Sequence, residues 1–294
     1  MHQICDSECR LLNRRNFVKA VVAGVLASFS GFFHMRWLEP FWFEVTEKDI
    51  GLDRFESVLR ILHLSDFHAS PEVPFPMIER AVEIGLKQQA DIAFLTGDFI
   101  TSTLPEETEY QRILQKLSHR MPTFACIGNH DGGKWAALTR HGYRNFTRIQ
   151  TLLANSGIRL LFNQREQVVV GGRRFTIAGL GDYWSDDCLP EKVLDLKRHN
   201  QQQRDPVLVL SHNPDSKQQC LAYDWDLMCC GHTHGGQFVL PFLGWRPFLP
   251  VQDTSCAEGV WTQGDQHVHV TRGIGNLHGM RFNCRPEISI LQVT

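Results

Sequence analysis

No C-x-x-C pair occurs in this 294-residue chain, although it carries nine cysteines. Its absence removes the usual spacing signature of a zinc knuckle or a dithiol redox motif. The odd count, with Cys126, Cys229 and Cys230 inside apolar runs, favours reduced core thiols in a reducing compartment over a disulfide framework. An excess of one charge is also lacking. With 30 Lys+Arg against 32 Asp+Glu, no global field recruits nucleic acid or a strongly acidic partner. There is no internal repeat and no low-complexity tract. The charge-free apolar run Ala20 to Phe33 is shorter than the roughly 20 residues that span a bilayer comfortably. The length allows one large domain or two small ones with a substantial core.

What the N-terminus does contain is basic residues ahead of that run: Arg10, Arg14, Arg15 and Lys19. This is the layout of a targeting-signal h-region or a short anchor. Arg14-Arg15-Asn16-Phe17-Val18-Lys19 resembles a twin-arginine export signal, with Asn13 where Ser or Thr is common. Because no small-x-small cleavage site follows Phe33, the segment is expected to stay as an anchor. Residues 1–42 are therefore read as a basic signal or membrane-anchor segment and 43–294 as the globular domain. Trp37 to Phe43 has the composition of a membrane-interface belt and equally that of an aromatic core plug.

Beyond Phe43, short apolar runs alternate with helical stretches. Val58–Ser65, Asp91–Thr96 and Thr123–Ile127 read as strands, with helices over Met77–Ala90 and Glu107–His119. Such units predict a parallel α/β sheet. Later come Ile158–Leu161, a hairpin turning at Gly171-Gly172, a helix around Glu191–His199, and strand runs at Val207–Leu210, Leu227–Cys230, His267–Val270 and Ile288–Leu291. Two sheets packed face to face, with helices outside both, accommodate this order.

Five apolar runs end in polar clusters with one vocabulary: Asp66-Phe67-His68, Gly97-Asp98, Gly128-Asn129-His130-Asp131, Ser211-His212-Asn213 and Gly231-His232-Thr233-His234-Gly235. Taken singly, each reads as readily as a cap, a turn or a satisfied core histidine. Their coincidence at five strand ends points to a single site. Carboxylate, imidazole and amide donors suit Mn²⁺, Fe²⁺ or Zn²⁺. They are too many for one tetrahedral ion, whereas two ions about 3.5–4 Å apart with a bridging carboxylate would use them all.

In order and content these residues resemble the calcineurin-like metallophosphoesterases, over about Val58 to the C-terminus. The resemblance implies a four-layer α/β/β/α sandwich of two mixed sheets. It further implies one metal held by Asp66, His68 and His234, another held by Asn129, His212 and His232, and Asp98 bridging. The expected chemistry is hydrolysis of a phosphodiester or pyrophosphate bond by metal-activated hydroxide, with Mn²⁺ as the first choice and Zn²⁺ or Fe²⁺ as alternatives. His130 is the candidate to protonate the leaving oxygen or stabilise the phosphoryl group. Asp131 is the candidate to orient His130, or else to cap the Gly132-Gly133 turn.

Phe99-Ile100-Thr101-Ser102 has no Tyr ligand of purple acid phosphatase type, and the G-D-x-x-D-R-G of phosphoprotein phosphatases is missing. Gly179-Leu180-Gly181-Asp182, Thr271-Arg272-Gly273-Ile274-Gly275 and Arg285-Pro286-Glu287 resemble a bacterial membrane-associated branch that includes broad phosphodiesterases and a lipid A pathway pyrophosphohydrolase. The expected partners are a phosphate ester or nucleotide-sugar lipid and a membrane surface, with no nucleic acid. Trp37 to Phe43 and Phe242 to Leu249, as an apolar entrance near the membrane, favour UDP-diacylglucosamine, and the free cysteines and the lack of an obvious cleavage site favour the cytoplasmic face of the inner membrane. A twin-arginine-exported broad phosphodiesterase is the alternative, and a catalytically silent membrane-anchored binding protein is the alternative of another class.

Overall fold

The computed structural model describes residues 14–52, 55, 57–104, 106–197 and 204–294. Two six-stranded mixed sheets face each other. In the first, the order is β1 (Glu44–Ile50), β12 (Glu287–Val293), β2 (Leu59–Leu64), β3 (Ile92–Thr96), β4 (Thr123–Cys126) and β5 (Arg159–Leu160). The second runs β10 (Gly259–Gln263), β11 (Gln266–Val270), β9 (Leu227–Cys230), β8 (Val207–Leu210), β7 (Arg173–Gly179) and β6 (Gln164–Val170). β2, β3, β4 and β5 are mutually parallel, as are β7, β8, β9 and β11.

Strand alternation sorts the core into layers. Leu59 and Ile61 face the second sheet and pack with Phe175, Ile177, Leu208 and Leu227. Leu62 and Leu64 face outward, under α2 (Phe75–Leu86), α3 (Glu107–Ser118) and α5 (Thr147–Asn155). The outer layer on the second sheet is thinner. It consists of Val193, Leu194, Trp225 and the short helix α6 (Lys217–Cys220), with Cys220 packed inward. This is the α/β/β/α sandwich, and both its sheets are mixed.

The helix expected around Glu191–His199 does not form in its described part. Pro190–Lys192 is a single 3-10 turn, and residues 198 and 199 lie outside the described residues. The local backbone donors and acceptors are spent on a neighbouring segment instead: Lys197 N–H donates to Ala222 O (3.1 Å), and Asp195 O accepts from Asp224 N–H (2.8 Å). α2 stops at Leu86 rather than Ala90, since Gln89 takes a left-handed φ of 54°. The edge strands β1 and β10 and the short helix α4 (Lys134–Thr139) carried no clear periodic signal, whereas α5, also not read from the sequence, buries Ile149, Leu152 and Leu153 at helical spacing.

At the N-terminus, α1 (Arg14–Phe33) has no buried residue and continues through a π turn and a 3-10 turn. The combined stretch Arg14–Phe41, 28 residues, is long and apolar enough to cross a membrane by length and composition. The apolar run expected to be too short is therefore extended by its flanks. The aromatics after it divide: Trp37 and Trp42 are exposed, while Phe41 and Phe43 pack on the first sheet's outer core.

Candidate metal centre

All five polar clusters sit at the carboxyl ends of parallel strands (β2, β3, β4, β8 and β9), so the sandwich brings them to one rim. Asp66, His68, Asp98, His232 and His234 all adopt positive φ, between 48° and 69°. This conformation costs energy for non-glycine residues and recurs at functional sites. Two glycines permit the approach. A Cβ on Gly128 would sit 2.2 Å from Asp98 Oδ1, and one on Gly231 would sit 1.9 Å from Ser65 Oγ.

Three groups of donor atoms converge, each group within 4.8 Å: Asp66, His68 and His234; Asp98, His212 and His232; and His68, Asp98 and His130. His68 Nε2 lies 3.1 Å from His234 Nε2 and 3.4 Å from Asp98 Oδ2. Asp98 Oδ2 is also 3.1 Å from His212 Nε2, so one carboxylate oxygen faces both groups. Asn129 is buried, and its Oδ1 has no hydrogen-bond partner.

The electrostatics favour cation binding. Burial lowers His68 and His232 to about 3 and His234 well below its ordinary value, keeping these imidazoles neutral. Asp98 is held well below the carboxylate range: burial opposes its ionisation, but His212 and the other imidazoles outweigh it. His212 is pulled down by burial yet lifted to about 10 by Asp98. The neutral imidazoles of His68, His232 and His234, the ionised Asp98 carboxylate and the orphaned buried Asn129 Oδ1 form a donor set that fits hard or borderline divalent ions, and His212 joins it by giving up the proton that Asp98 stabilises.

Backbone carbonyls fix the rings. His212 Nδ1 meets Thr96 O at 2.6 Å, His232 Nε2 meets Pro250 O at 3.2 Å, and His130 Nδ1 meets Thr101 O at 2.6 Å. A carbonyl only accepts, so each of these nitrogens carries the proton and the other nitrogen is left for the site. The Asp131 side chain takes neither of the positions expected for it. Thr101 O rather than Asp131 holds the His130 ring, and Gly133 N–H goes to Tyr143 O (3.2 Å). The Asp131 carboxylate instead accepts the N–H groups of Asp98 (2.9 Å), Phe99 (2.7 Å) and Gly128 (2.8 Å), lacing the β3 and β4 loops together behind Asp98.

Several site residues escaped sequence reasoning. Trp184 stands edge-on to His232 with ring centroids 4.2 Å apart, and Trp135 lies 4.9 Å from His130, so two tryptophans wall the site. Arg281, fully buried, donates to the carbonyls of Arg272, Gly273, Gly275 and His234. It thereby ties the loop after β11 to the His234 loop. None of these carries a local motif; the Gly-rich Thr271–Gly275 stretch was the one hint.

Clustered candidate metal donors at the strand ends of a double-sheet sandwich are the arrangement of a metal-dependent phosphoester hydrolase. The calcineurin-like phosphoesterase family profile matches residues 59–236, and the chain belongs to that family, whose members bind two divalent metals. It is 36% identical over 285 residues to the phosphodiesterase YaeI of Escherichia coli (strain K12), covering 96% of this chain and all of that one. It is 28% identical over 297 residues to the uncharacterized metallophosphoesterase YkuE of Bacillus subtilis (strain 168), covering 95% and 96%. It is 26% identical over 307 residues to the UDP-2,3-diacylglucosamine pyrophosphatase LpxG of Chlamydia muridarum, covering 87% and 90%.

Proposed function

We propose that Asp66, His68 and His234 hold one divalent ion, that Asn129, His212 and His232 hold a second, and that Asp98 is shared between them, for hydrolysis of a phosphodiester presented at a membrane surface. The observation that carries this reading is the Asp98 carboxylate placed between two buried imidazole groups. When bound, the ions supply Lewis-acid stabilisation of phosphoryl oxygens and lower the pKa of a water. Mn²⁺ is the first choice for this mixture of donors, with Zn²⁺ and Fe²⁺ as alternatives.

The chain's own residues supply the rest. His130 keeps its Nδ1 proton on Thr101 O, so its other nitrogen is available to move a proton at the leaving oxygen. Asp131 holds the loop that aims Asp98 and His130. Trp184 and Trp135 narrow the approach and exclude water on one side. The catalytic unit spans 43–294, with residues 1–42 as the anchor. The seven described cysteines are buried free thiols, which supports the cytoplasmic face of a bacterial inner membrane over twin-arginine export.

The phosphodiester reading is supported by the likeness to YaeI. A second reading, cleavage of the pyrophosphate of UDP-diacylglucosamine, is supported by the likeness to LpxG and by the exposed aromatics after His234. The silent-binder alternative finds no support in a donor set this complete.

Purified full-length protein, assayed with added Mn²⁺, Zn²⁺ or Fe²⁺ on bis(p-nitrophenyl) phosphate and UDP-diacylglucosamine, tests both readings. Metal-dependent turnover abolished by a chelator is expected. Turnover of the second substrate alone selects the second reading, and turnover of neither by metal-loaded protein overturns both.

A further inference from the structure

The loop that follows His234 exposes four large apolar side chains in seven residues: Phe242 fully, Leu243 at 78%, Trp245 at 60% and Phe248 at 66%. Isolated exposed hydrophobics are ordinary, but a contiguous group at one loop tip marks a contact surface. The loop is held in shape by its own backbone. Leu240 N–H donates to Trp245 O (2.9 Å) and Gly244 N–H to Leu240 O (3.1 Å), so the apolar tip is a built feature.

Its roots identify the occupant. Val239 N–H bonds Phe282 O (2.9 Å), and the residue before Phe282, Arg281, donates its N–H to Met35 O (3.0 Å) at the end of the apolar N-terminal helix. A groove of about 430 Å³ between the two elements is lined by His34, Trp42, Pro241 and Phe282. The helix exposes Val21, Val22, Val25, Leu26 and Phe29 along its length, and Phe32, half-exposed, meets Trp37 edge-on with ring centroids 5.7 Å apart. Two exposed apolar elements therefore leave one patch of the protein. Trp245 at a loop tip beside the end of a helix of spanning length has the amphipathic ring that settles at a bilayer interface, and Phe242, Leu243 and Phe248 add apolar surface around it.

The other end of the loop reaches the metal centre. Arg246 Nη1 donates to Gly235 O (2.8 Å), and Pro250 O takes the His232 ring proton (3.2 Å).

We infer that the 241–249 loop is a second membrane contact that inserts its aromatic tip into the lipid bilayer beside α1, opening the mouth of the metal centre at the membrane surface. The inference rests on α1 being the anchor.

The test uses the full chain reconstituted in phosphatidylcholine vesicles, with acyl-chain-brominated lipid as quencher of tryptophan emission. Subtracting the spectrum of W245F from that of the wild type isolates Trp245, and W37F isolates Trp37 at the helix end. Loss of emission at both positions in brominated vesicles, with Trp245 blue-shifted relative to a F242S/L243S/F248S variant, is the expected result. Quenching of Trp37 with Trp245 unaffected would overturn the loop insertion and leave the anchor standing. Quenching of neither would overturn both.

Discussion

The Nε2 atoms of His68 and His234 lie 3.1 Å apart across 166 residues of sequence, both within 4.0 Å of Asp66 Oδ1. Both rings are kept neutral by burial, so one lone pair faces another unless a proton or a cation stands between them. The arrangement is organised for an ion.

Removing either ring should empty that position first. In H234A, tightly held divalent metal should fall by about one equivalent, with loss of phosphoesterase turnover. Metal content after gel filtration, read alongside activity, checks this. A variant that keeps two equivalents would exclude His234 as a ligand.

His130 should behave differently from its neighbour Asn129. H130A should retain most bound metal while kcat falls by about 10²–10⁴, the range for a general acid. N129A should weaken one metal site and lose activity in proportion, recoverable by excess metal. Equal metal loss in both variants would make His130 a ligand, an arrangement that its grouping with His68 and Asp98 also allows.

D131N tests the clamp behind Asp98. An amide offers one acceptor oxygen, so at least one of the Asp98, Phe99 and Gly128 N–H groups loses its partner. Each buried orphan costs about 1–3 kcal/mol. The unfolding midpoint in urea should drop accordingly, and metal affinity should fall because Asp98 loses its backing. Unchanged stability with lost turnover would return Asp131 to a catalytic role.

Between the sheets, His63 Nδ1 meets His269 Nδ1 at 2.9 Å, and His63 Nε2 meets Thr96 Oγ1 at 2.9 Å. Burial, with the neighbouring His269, lowers His63 well below its ordinary value. Burial also lowers His269, to about 4. The unfolded chain therefore binds more protons below pH 6.5. The stability these rings contribute is complete above that pH and is lost as pH falls towards 4. Thermal unfolding midpoints should decline over that window more steeply in the wild type than in a H63L/H269L variant. Parallel declines would mean that the pair contributes nothing.

Most of the centre was legible in the sequence because its donors are short-range neighbours of strong strand signals. Asp66 and His68 directly follow the apolar β2, and His232 and His234 follow β9 between glycines that allow the tight approach. The same locality made β2, β3, β4, β8 and β9 readable, since buried parallel strands are continuous apolar runs. β1 and β10 were not, because edge strands half in water carry mixed residues with a weak period.

By itself, then, the sequence determined the inventory of candidate donor residues, the two-sheet architecture and an apolar N-terminus, all properties of residue type and spacing. Tertiary structure alone decided which atoms face which. It put Thr101 rather than Asp131 on the His130 ring, brought Trp184 to His232, and rooted the Phe242–Phe248 tip next to the end of α1. Those pairings join residues tens to hundreds of positions apart. They are fixed by how the strand ends and connecting loops pack at one rim, and no local pattern of hydrophobicity or charge encodes that packing.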